Sequence, residues 1–174
     1  MFVYHIDRAN SMSINQVLSL ENGFDLNDIF NIYNNSLSIH GIHYLSQNPY
    51  NDIPSFLWEF AAEYVRILKY PQYPSRFQCL FAVENLEQLD AWKTFFEKSN
   101  FQIVKLECSK IYKFDANWIT KPGSFKNYLK NNKFDNVSFA SYCYFADKYW
   151  SGQPSPSPLW ELLVPLPCKC VDIL

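Results

Sequence analysis

Apolar residues recur at helical spacing in several stretches of the chain. The clearest is 56–68, where apolar side chains return after one, three and four residues, as on one face of an amphipathic helix. Asp25 and Asn85 are residue types that cap helices, and each precedes apolar residues at the same spacing. We therefore predict helices that begin at these two caps, a helix over 56–68, and a further helix over 138–150.

Strand-like patterns occupy most of the remaining chain. The run 77–83 is apolar apart from Gln78, which is typical of a strand covered on both faces. The other predicted strands are 2–8, 16–20, 101–108, 160–164 and 169–173. The predicted loops are 39–51, 111–137 and the proline-containing segment 151–158. Within 111–137 we also predict a short helix near 124–129. This succession predicts one α+β domain over residues 1–174, built from more than one packed layer.

The charge of the chain is small for its length. Its 174 residues include 15 Lys and Arg against 17 Asp and Glu, so no overall positive field draws the protein to nucleic acid or anionic lipid. No apolar run approaches the roughly 20 residues that cross a bilayer, and the first residues lack the pattern of a secretion signal. We expect a cytoplasmic protein without a membrane partner. Aromatic residues make up 18% of the chain, more than a core of this size normally uses, so we expect some to line a cleft.

The five cysteines indicate thiols rather than disulfides or a metal site. Their number is odd, and Cys79 and Cys108 lie in strand-like apolar runs, where a thiol behaves as a small hydrophobic side chain. Cys168 and Cys170 are separated by one residue, which is too few for a zinc knuckle. We predict buried free thiols and no bound metal.

Three polar residues stand in strand-like segments whose neighbours are mostly apolar: His5, Arg8 and Glu161. Alternation along a strand puts His5 and Arg8 on opposite faces, unless a turn at Asp7 breaks the pattern. His5 is explained either by a ligand or by a backbone partner at the sheet surface. The Glu161 carboxylate faces a solvated cleft, is paired, or takes an ordinary exposed strand position.

The order of four residues along the chain resembles a known enzyme family. His5 lies on the first strand, Phe81 ends a central strand, Trp92 follows after ten intervening residues on a helix, and Glu161 lies on a late strand. In this order the chain is similar to ADP-ribosyltransferases of the branch that includes diphtheria toxin and the poly-ADP-ribose polymerases, which carry His, Tyr, Tyr and Glu at these places. The sequence reads Tyr-His-x-x-Arg from residue 4 and Trp-Glu-Leu-Leu from residue 160, as in a set of small bacterial domains of that superfamily. The resemblance implies a split mixed β-sheet core with flanking helices.

The resemblance also implies a reaction that consumes NAD, with no metal. His5 would donate to the ribose hydroxyls of the adenosine half, and Arg8 and Arg76 would neutralise the pyrophosphate. Glu161 would be the catalytic carboxylate. It would bind the 2′-hydroxyl of the nicotinamide-side ribose and stabilise an oxocarbenium-like transition state.

Two aromatic residues would hold the nicotinamide ring. Phe81 and Trp92 would stack on it, with a cation–π contribution of about 0.5–2 kcal/mol. Both stand where the family has Tyr, so stacking is kept while any contact through a hydroxyl is lost. Leu159 stands two residues before Glu161, so the Glu-x-Glu and Gln-x-Glu signatures of the arginine- and asparagine-modifying toxins are absent. We therefore do not expect the chain to modify those side chains.

Small single-domain transferases of this kind resemble intracellular toxins of toxin–antitoxin and phage-defence systems. The resemblance thus implies a toxin with an antitoxin partner. Lysines from Lys113 to Lys133 are interleaved with aromatic residues, a composition that can hold a nucleic-acid strand by phosphate contacts and base stacking. We predict RNA or single-stranded DNA as the acceptor. The alternative for this segment is a solvated loop with buried aromatics.

Two other functions remain open on the same residues. One is a catalytically silent binding module on the same fold, which predicts that NAD binding is lost. The other is an NAD-independent ribonuclease that uses His5, His40 or His43 with Glu161 as acid and base. The ribonuclease predicts RNA cleavage without NAD, whereas the transferase predicts strict dependence on NAD.

Overall fold

The computed structural model describes residues 1–22, 33, 36–46, 53–96, 100–120 and 138–174. Their strands are β1 Phe2–Asp7, β2 Val17–Leu18, β3 Glu21–Asn22, β4 Ser36–Leu37, β5 Cys79–Ala82, β6 Gln102–Glu107, β7 Tyr112–Asp115, β8 Trp160–Pro165 and β9 Cys168–Ile173. Their helices are α1 Ile39–Ser46, α2 Ile53–Lys69, α3 Leu89–Phe96, α4 Asn117–Thr120 and α5 Phe139–Trp150. Short 3-10 turns at Arg76–Gln78 and Leu86–Gln88 precede β5 and α3. The chain is a mixed α+β protein, as the sequence predicts.

Two antiparallel sheets form the centre of the fold. One has the strand order β1-β6-β9-β2 and the other has the order β5-β8-β7, while β3 and β4 form a separate pair. Every pairing between the described strands is antiparallel. The prediction of a mixed sheet is therefore wrong for these strands. That expectation came from the resemblance, because the apolar pattern of a strand reports its burial and not the direction of its neighbour.

The two sheets pack face to face, and helices cover their outer faces. Val3 and Leu106 of the first sheet share one buried cluster with Leu80 and Leu162 of the second. Successive side chains on a strand point to opposite faces, so the alternate residues of each sheet point outward from this cluster. The outer face of the second sheet packs against α2 and α5, and that of the first packs against α3. Four layers result, in the order helix, sheet, sheet, helices.

Strands β1 and β5 join the two sheets. The backbone N–H of Tyr4 donates to the Val83 carbonyl at 2.9 Å, and the N–H of Val83 donates to the Tyr4 carbonyl at 2.8 Å. Strand β5 in turn pairs with β8. The strands that carry His5, Phe81 and Glu161 are therefore neighbours across this junction.

Several predicted elements are confirmed together with the residues that start them. The predicted helix 56–68 lies within α2, which begins at Ile53. The Asn85 side chain accepts from the Gln88 N–H at 3.1 Å and so opens the 3-10 turn that leads into α3. Ser138 caps α5 by accepting from the Ser141 N–H. Of the two caps predicted from the sequence, Asn85 is therefore confirmed, while Asp25 lies outside the described residues.

The predicted loop 39–51 contains a helix instead. Helix α1 begins at Ile39 because the hydroxyl of Ser38 accepts from the Gly41 N–H at 3.2 Å, which satisfies one of the free donors of the first turn. Gly41 also lies directly against the Phe77 carbonyl, where an added Cβ would stand 2.2 Å from the oxygen. The helix depends on this close approach, which no local hydrophobic pattern reports.

The predicted loop 111–137 begins with regular structure. Tyr112–Asp115 forms β7 along β8, and Asn117–Thr120 forms α4. Both elements are only four residues long, so they are too short to show a hydrophobic period. The helix predicted after Asp25 and the short helix predicted near 124–129 lie outside the described residues.

Three further observations concern the class of protein. In the part of the chain that the structure describes, no helix is both long enough and apolar enough to cross a membrane. Among the same residues, no group of three or more His, Cys, Asp or Glu side chains is placed to hold a metal ion. All five cysteines are free thiols and all but Cys143 are buried, close to the sequence prediction.

Candidate functional site

Glu161 lies on β8, on the sheet face that α2 and α5 cover, and only 3% of the residue is exposed. The Tyr149 hydroxyl donates to Glu161 Oε1 at 2.5 Å, and Arg76 Nη1 donates to the same oxygen. Within the described residues, no hydrogen bond reaches Glu161 Oε2. The sequence left three alternatives for Glu161, and the structure shows a paired carboxylate. Its hydrogen bonds in the described part of the chain all go to one oxygen, Oε1.

Arg76 is the centre of the group around Glu161. Its Nε and Nη2 donate to the two carboxylate oxygens of Glu59 at 2.8 and 2.9 Å. Its Nη1 also donates to the Tyr149 hydroxyl at 2.6 Å. The guanidinium lies over one face of Phe81, 4.5 Å from the ring centroid. With 3% of Arg76 exposed, no edge of the guanidinium is presented to a pyrophosphate, and we correct that expectation. Arg76 binds Glu59 and Glu161 instead.

We call Glu59, Arg76, Tyr149 and Glu161 the Arg76 cluster. Helix α1 adds His40 to its edge, because His40 Nε2 lies 3.5 Å from Glu59 Oε2. This nitrogen is buried and has no hydrogen-bond partner among the described residues. The His40 ring also meets Phe81 edge-on, with ring centroids 4.3 Å apart. His40 and Phe81 together therefore form one wall of the cluster.

Burial and neighbouring charges set the ionisation of the Arg76 cluster. Burial alone would raise the pKa of the Glu59 carboxyl, but Arg76 and His40 hold that pKa well below its usual range. Burial would lower the pKa of the Arg76 guanidinium, while Glu161 and Glu59 raise it well above its usual value. Burial raises the pKa of the Tyr149 hydroxyl far above its usual value. At neutral pH, Glu59 and Arg76 are therefore charged and Tyr149 keeps its proton.

His5 is held by the backbone of the neighbouring strand. Its Nδ1 lies 2.7 Å from the Phe81 carbonyl oxygen, so Nδ1 must carry the proton and donate it. Burial lowers the pKa of the imidazole, which is neutral at physiological pH. The remaining ring nitrogen, Nε2, is then an acceptor. We correct the expectation that His5 serves a ligand as a donor, because its Nδ1–H is used by Phe81 and Nε2 can only accept.

Trp92 lies apart from Phe81. Its indole packs with Leu89 against the outer face of β1, is 7% exposed, and donates through Nε1 to the Trp160 carbonyl at 3.0 Å. Phe81 belongs to the cluster on the other side of the second sheet, with α2 and α5. The two rings therefore do not form the two sides of one stacking slot in this structure. Trp92, on the amphipathic helix α3, is therefore part of the hydrophobic core.

The two predicted arginines differ in exposure. Arg8 follows directly after β1 and is exposed, whereas Arg76 is buried. The turn anticipated at Asp7 is present, because the Asp7 carboxylate accepts from the backbone N–H groups of Ser11 and Met12 at 2.7 and 2.9 Å. Arg8 thus stands on a well-held turn at the end of the strand that carries His5.

Only the start of the predicted acceptor-binding segment lies within the described residues. Phe114 and Trp118 are 3% and 0% exposed, so these two rings belong to the core and do not stack on bases. Lys113 lies on β7, with its Nζ 5.4 Å from the Trp160 ring centroid and 2.6 Å from Glu84 Oε2. The other lysines named above, from residue 121 onward, lie outside the described residues.

Sequence reasoning missed Glu59 and Tyr149. Glu59 lies on the helix 56–68 beside buried Trp58, and Tyr149 lies on α5 beside buried Trp150. A carboxylate flanked by large apolar residues on a helix was a usable signal, since such a group needs a partner. Tyr149 carried no such signal, because a tyrosine on an apolar helix face is ordinary core material.

Comparisons with known proteins give one result. A family model described as "Protein of unknown function (DUF2441)" matches residues 3–174, which is nearly the whole chain. No curated protein matches the chain.

Proposed function

We propose that this chain, which belongs to the family of unknown function DUF2441, is an NAD-dependent mono-ADP-ribosyltransferase with an ADP-ribosyltransferase fold. One observation carries the proposal. His5, Phe81 and Glu161 lie on β1, β5 and β8, three neighbouring strands at the junction of the two sheets. This order of strands matches the order of the three residues in the resemblance. Phe81 and Glu161 share the sheet face that α2 and α5 cover, whereas His5 lies on the Val3 side of β1, toward the space between the sheets. The proposal therefore rests on the order of the strands and not on one shared face.

The state of Glu161 supports its proposed chemical role. Oε1 is fixed by Tyr149 and Arg76, so Oε2 is the oxygen left to accept from the 2′-hydroxyl of the nicotinamide-side ribose. Glu161 is 3% exposed, so this role requires the helices that cover its sheet face to move and admit the ribose. The bond between that ribose C1′ and the nicotinamide nitrogen breaks, and its electron pair leaves with neutral nicotinamide. Glu161 stabilises the positive charge that develops on the ribose. The acceptor then forms its bond to C1′ and releases a proton.

Two other residues have proposed binding roles. His5 Nε2 accepts from a ribose hydroxyl of the adenosine half. Phe81 stacks on nicotinamide with one face, because Arg76 covers the other. Arg8 is the arginine proposed for the pyrophosphate, because it is exposed beside the strand that carries His5.

We further propose a nucleic-acid acceptor, RNA or single-stranded DNA, and a role as a cytoplasmic toxin of a toxin–antitoxin or phage-defence system. Lys113 and Trp160 support the acceptor. They form a cation and aromatic pair on β7 and β8, on the sheet face opposite to the Glu161 side chain, and such pairs bind phosphate and stack on bases. The Glu84 carboxylate pairs with the Lys113 ammonium group and partly neutralises it. We therefore expect base stacking on Trp160 to contribute more to acceptor binding than phosphate contacts with Lys113. The antitoxin partner follows from the resemblance alone.

The test is transfer from labelled NAD. The purified chain is incubated with labelled NAD and with RNA, single-stranded DNA or cell lysate, and both label transfer and nicotinamide release are measured. We expect label on nucleic acid, and a loss of about 10²-fold or more in nicotinamide release for Glu161→Gln. The matched control is Glu63→Gln, which removes a buried carboxylate on α2 that pairs with Arg66. A wild-type chain that releases no nicotinamide in any mixture overturns the proposal and favours the silent binding module.

His40 gives a second candidate function some support. Of the histidines considered for a ribonuclease, His40 lies with its Nε2 3.5 Å from a carboxylate oxygen, which belongs to Glu59 rather than to Glu161. An imidazole, a carboxylate and Arg76 in one group are able to act as acid, base and anion binder. This candidate predicts RNA cleavage without NAD that His40→Gln abolishes and His43→Gln preserves.

A further inference from the structure

The Arg76 cluster contains more negative than positive charge. Glu59 and Glu161 are both carboxylates, and both bind the single guanidinium of Arg76. All three residues are less than a tenth exposed, so water screens their charges poorly. One guanidinium cannot neutralise two carboxylates, and the charge left over depends on how the two share it.

The geometry of sharing is unequal. Glu59 takes two parallel hydrogen bonds from Arg76, at 2.8 and 2.9 Å, which is the strong two-point form of this pair. Glu161 takes one hydrogen bond from Arg76 and receives its second at Oε1 from the neutral Tyr149 hydroxyl. The two carboxylates thus share one guanidinium charge. Because Glu59 takes a two-point share of it, Arg76 does not neutralise Glu161 in full.

We propose that Glu59 is a positioning residue that compensates the charge of Arg76, so that Arg76 orients Glu161 without neutralising it. This inference rests on the proposed function, because a carboxylate that stabilises a ribosyl cation works only through its negative charge. Glu59 does not touch the substrate in this assignment. It acts through Arg76, and His40 lies on its other side at 3.5 Å.

The ionisation of Glu59 agrees with this role. Although burial would raise its pKa, the neighbouring Arg76 and His40 hold the pKa of the carboxyl well below its usual range. Glu59 therefore stays charged over the whole range in which an enzyme of this kind would be assayed. The compensation is permanent and does not switch with pH.

The experiment is Glu59→Gln, measured as kcat and KM for nicotinamide release from NAD. Gln keeps the size of the side chain and one acceptor oxygen but leaves the Arg76 charge uncompensated beside Glu161. We expect kcat to fall about 10²-fold with KM for NAD changed by less than about threefold, since the lost interaction belongs to the transition state. The matched control is Glu63→Gln, one turn further along α2, whose carboxylate pairs with Arg66 and not with a member of the Arg76 cluster.

A second variant separates charge from structure. The double variant Glu59→Gln/Arg76→Gln removes both compensating charges and leaves the Glu161 charge and the Tyr149 hydroxyl in place. We expect its kcat to exceed that of Glu59→Gln by about tenfold or more, a recovery that loss of structure alone does not produce. If Glu59→Gln does not fold, the double variant is compared with wild type, and a kcat within about tenfold of wild type supports the inference.

The outcomes separate the two proposals. A wild-type chain that releases no nicotinamide overturns the transferase and this inference with it. Nicotinamide release by wild type, with Glu59→Gln no slower than Glu63→Gln, overturns the inference alone. The inference is also overturned if the kcat of the double variant is as low as that of Glu59→Gln. Where Glu59→Gln does not fold, a kcat of the double variant that is about 10²-fold or more below wild type overturns it. In both cases the orientation of Glu161 by Arg76 would matter more than the compensation of charge.

Discussion

The Tyr149 hydroxyl oxygen lies 2.5 Å from Glu161 Oε1, and both atoms are buried between β8 and α5. The same hydroxyl accepts from Arg76 Nη1 at 2.6 Å, so its proton can point only toward Glu161. Tyr149 is completely buried and its pKa is far above its usual value because of that burial, so it stays a neutral donor. It therefore fixes the direction of the Glu161 carboxylate without adding charge.

Tyr149→Phe tests this relationship. The ring is kept and only the hydroxyl is lost, so Glu161 Oε1 keeps its bond to Arg76 but loses its second donor. We expect a loss of about 1–2 kcal/mol in the free energy of unfolding, measured by urea denaturation. We also expect nicotinamide release to slow by about tenfold at unchanged KM. Tyr142→Phe, two turns earlier on the same helix, removes a hydroxyl outside the Arg76 cluster, and an equal effect there would contradict the assignment.

The stability of the protein is expected to fall in acid in a way that depends on Glu59. Because the pKa of Glu59 in the folded chain is well below its unfolded value of 4.5, its contribution is complete above that value. The contribution is lost as the pH falls from there toward the folded pKa, at up to about 1.4 kcal/mol per pH unit. Unfolding free energies measured from pH 7 to pH 3 check this.

The difference between wild type and Glu59→Gln isolates this residue from the other carboxylates. Gln does not titrate, so the variant should lose less stability than wild type between pH 5 and pH 3, although it is less stable at pH 7. Parallel curves for the two proteins over this range would show that Glu59 is not held ionised by Arg76 and His40.

The sequence predicts that Phe81 and Trp92 both stack on nicotinamide, but their positions in the structure lead us to expect different effects when each is replaced. Phe81→Leu should raise KM for NAD by about three- to tenfold, the value of one stacking contact of roughly 0.5–1.5 kcal/mol. Trp92→Phe should leave KM unchanged and lower the unfolding free energy by about 1–3 kcal/mol, because the Trp160 carbonyl loses its donor. Thermal unfolding and NAD kinetics on both variants give the answer. A matching rise in KM for Trp92→Phe would place that indole against nicotinamide after all.

Much of the fold could be predicted from the sequence because the patterns that specify its helices and strands lie within short stretches of the chain. The helix 56–68 has a full apolar face, and Asn85 and Ser138 start their helices with side-chain caps. Strand pairing could not be predicted in this way. The neighbours of β1 and β5 depend on contacts between residues far apart in sequence, such as Tyr4 and Val83.

The candidate site could be predicted only in part for the same reason. Glu161 was found because a carboxylate among apolar strand residues needs an explanation. Its partners are contributed by other elements, with Tyr149 on a helix and Arg76 on a 3-10 turn 85 residues earlier. Arg76 was assigned to a ligand because an arginine before a strand gives no sign of the carboxylates that will surround it. The distinction between a ligand contact and an internal pair is made by tertiary structure alone.

Helix α1 places His40 beside Glu59, and the position of this helix depends on Gly41. A Cβ at this residue would lie 2.2 Å from the Phe77 carbonyl oxygen, a backbone atom that cannot turn aside. We expect Gly41→Ala to lower the unfolding free energy by about 2–3 kcal/mol, because α1 must move away from Phe77. The matched control is Gly152→Ala, where nothing lies within 4 Å and only the positive φ of 73° opposes a side chain, at a cost of about 1 kcal/mol. Thermal denaturation of both variants decides the point, and a smaller loss for Gly41→Ala than for Gly152→Ala would contradict the close packing of α1 on the turn that carries Arg76.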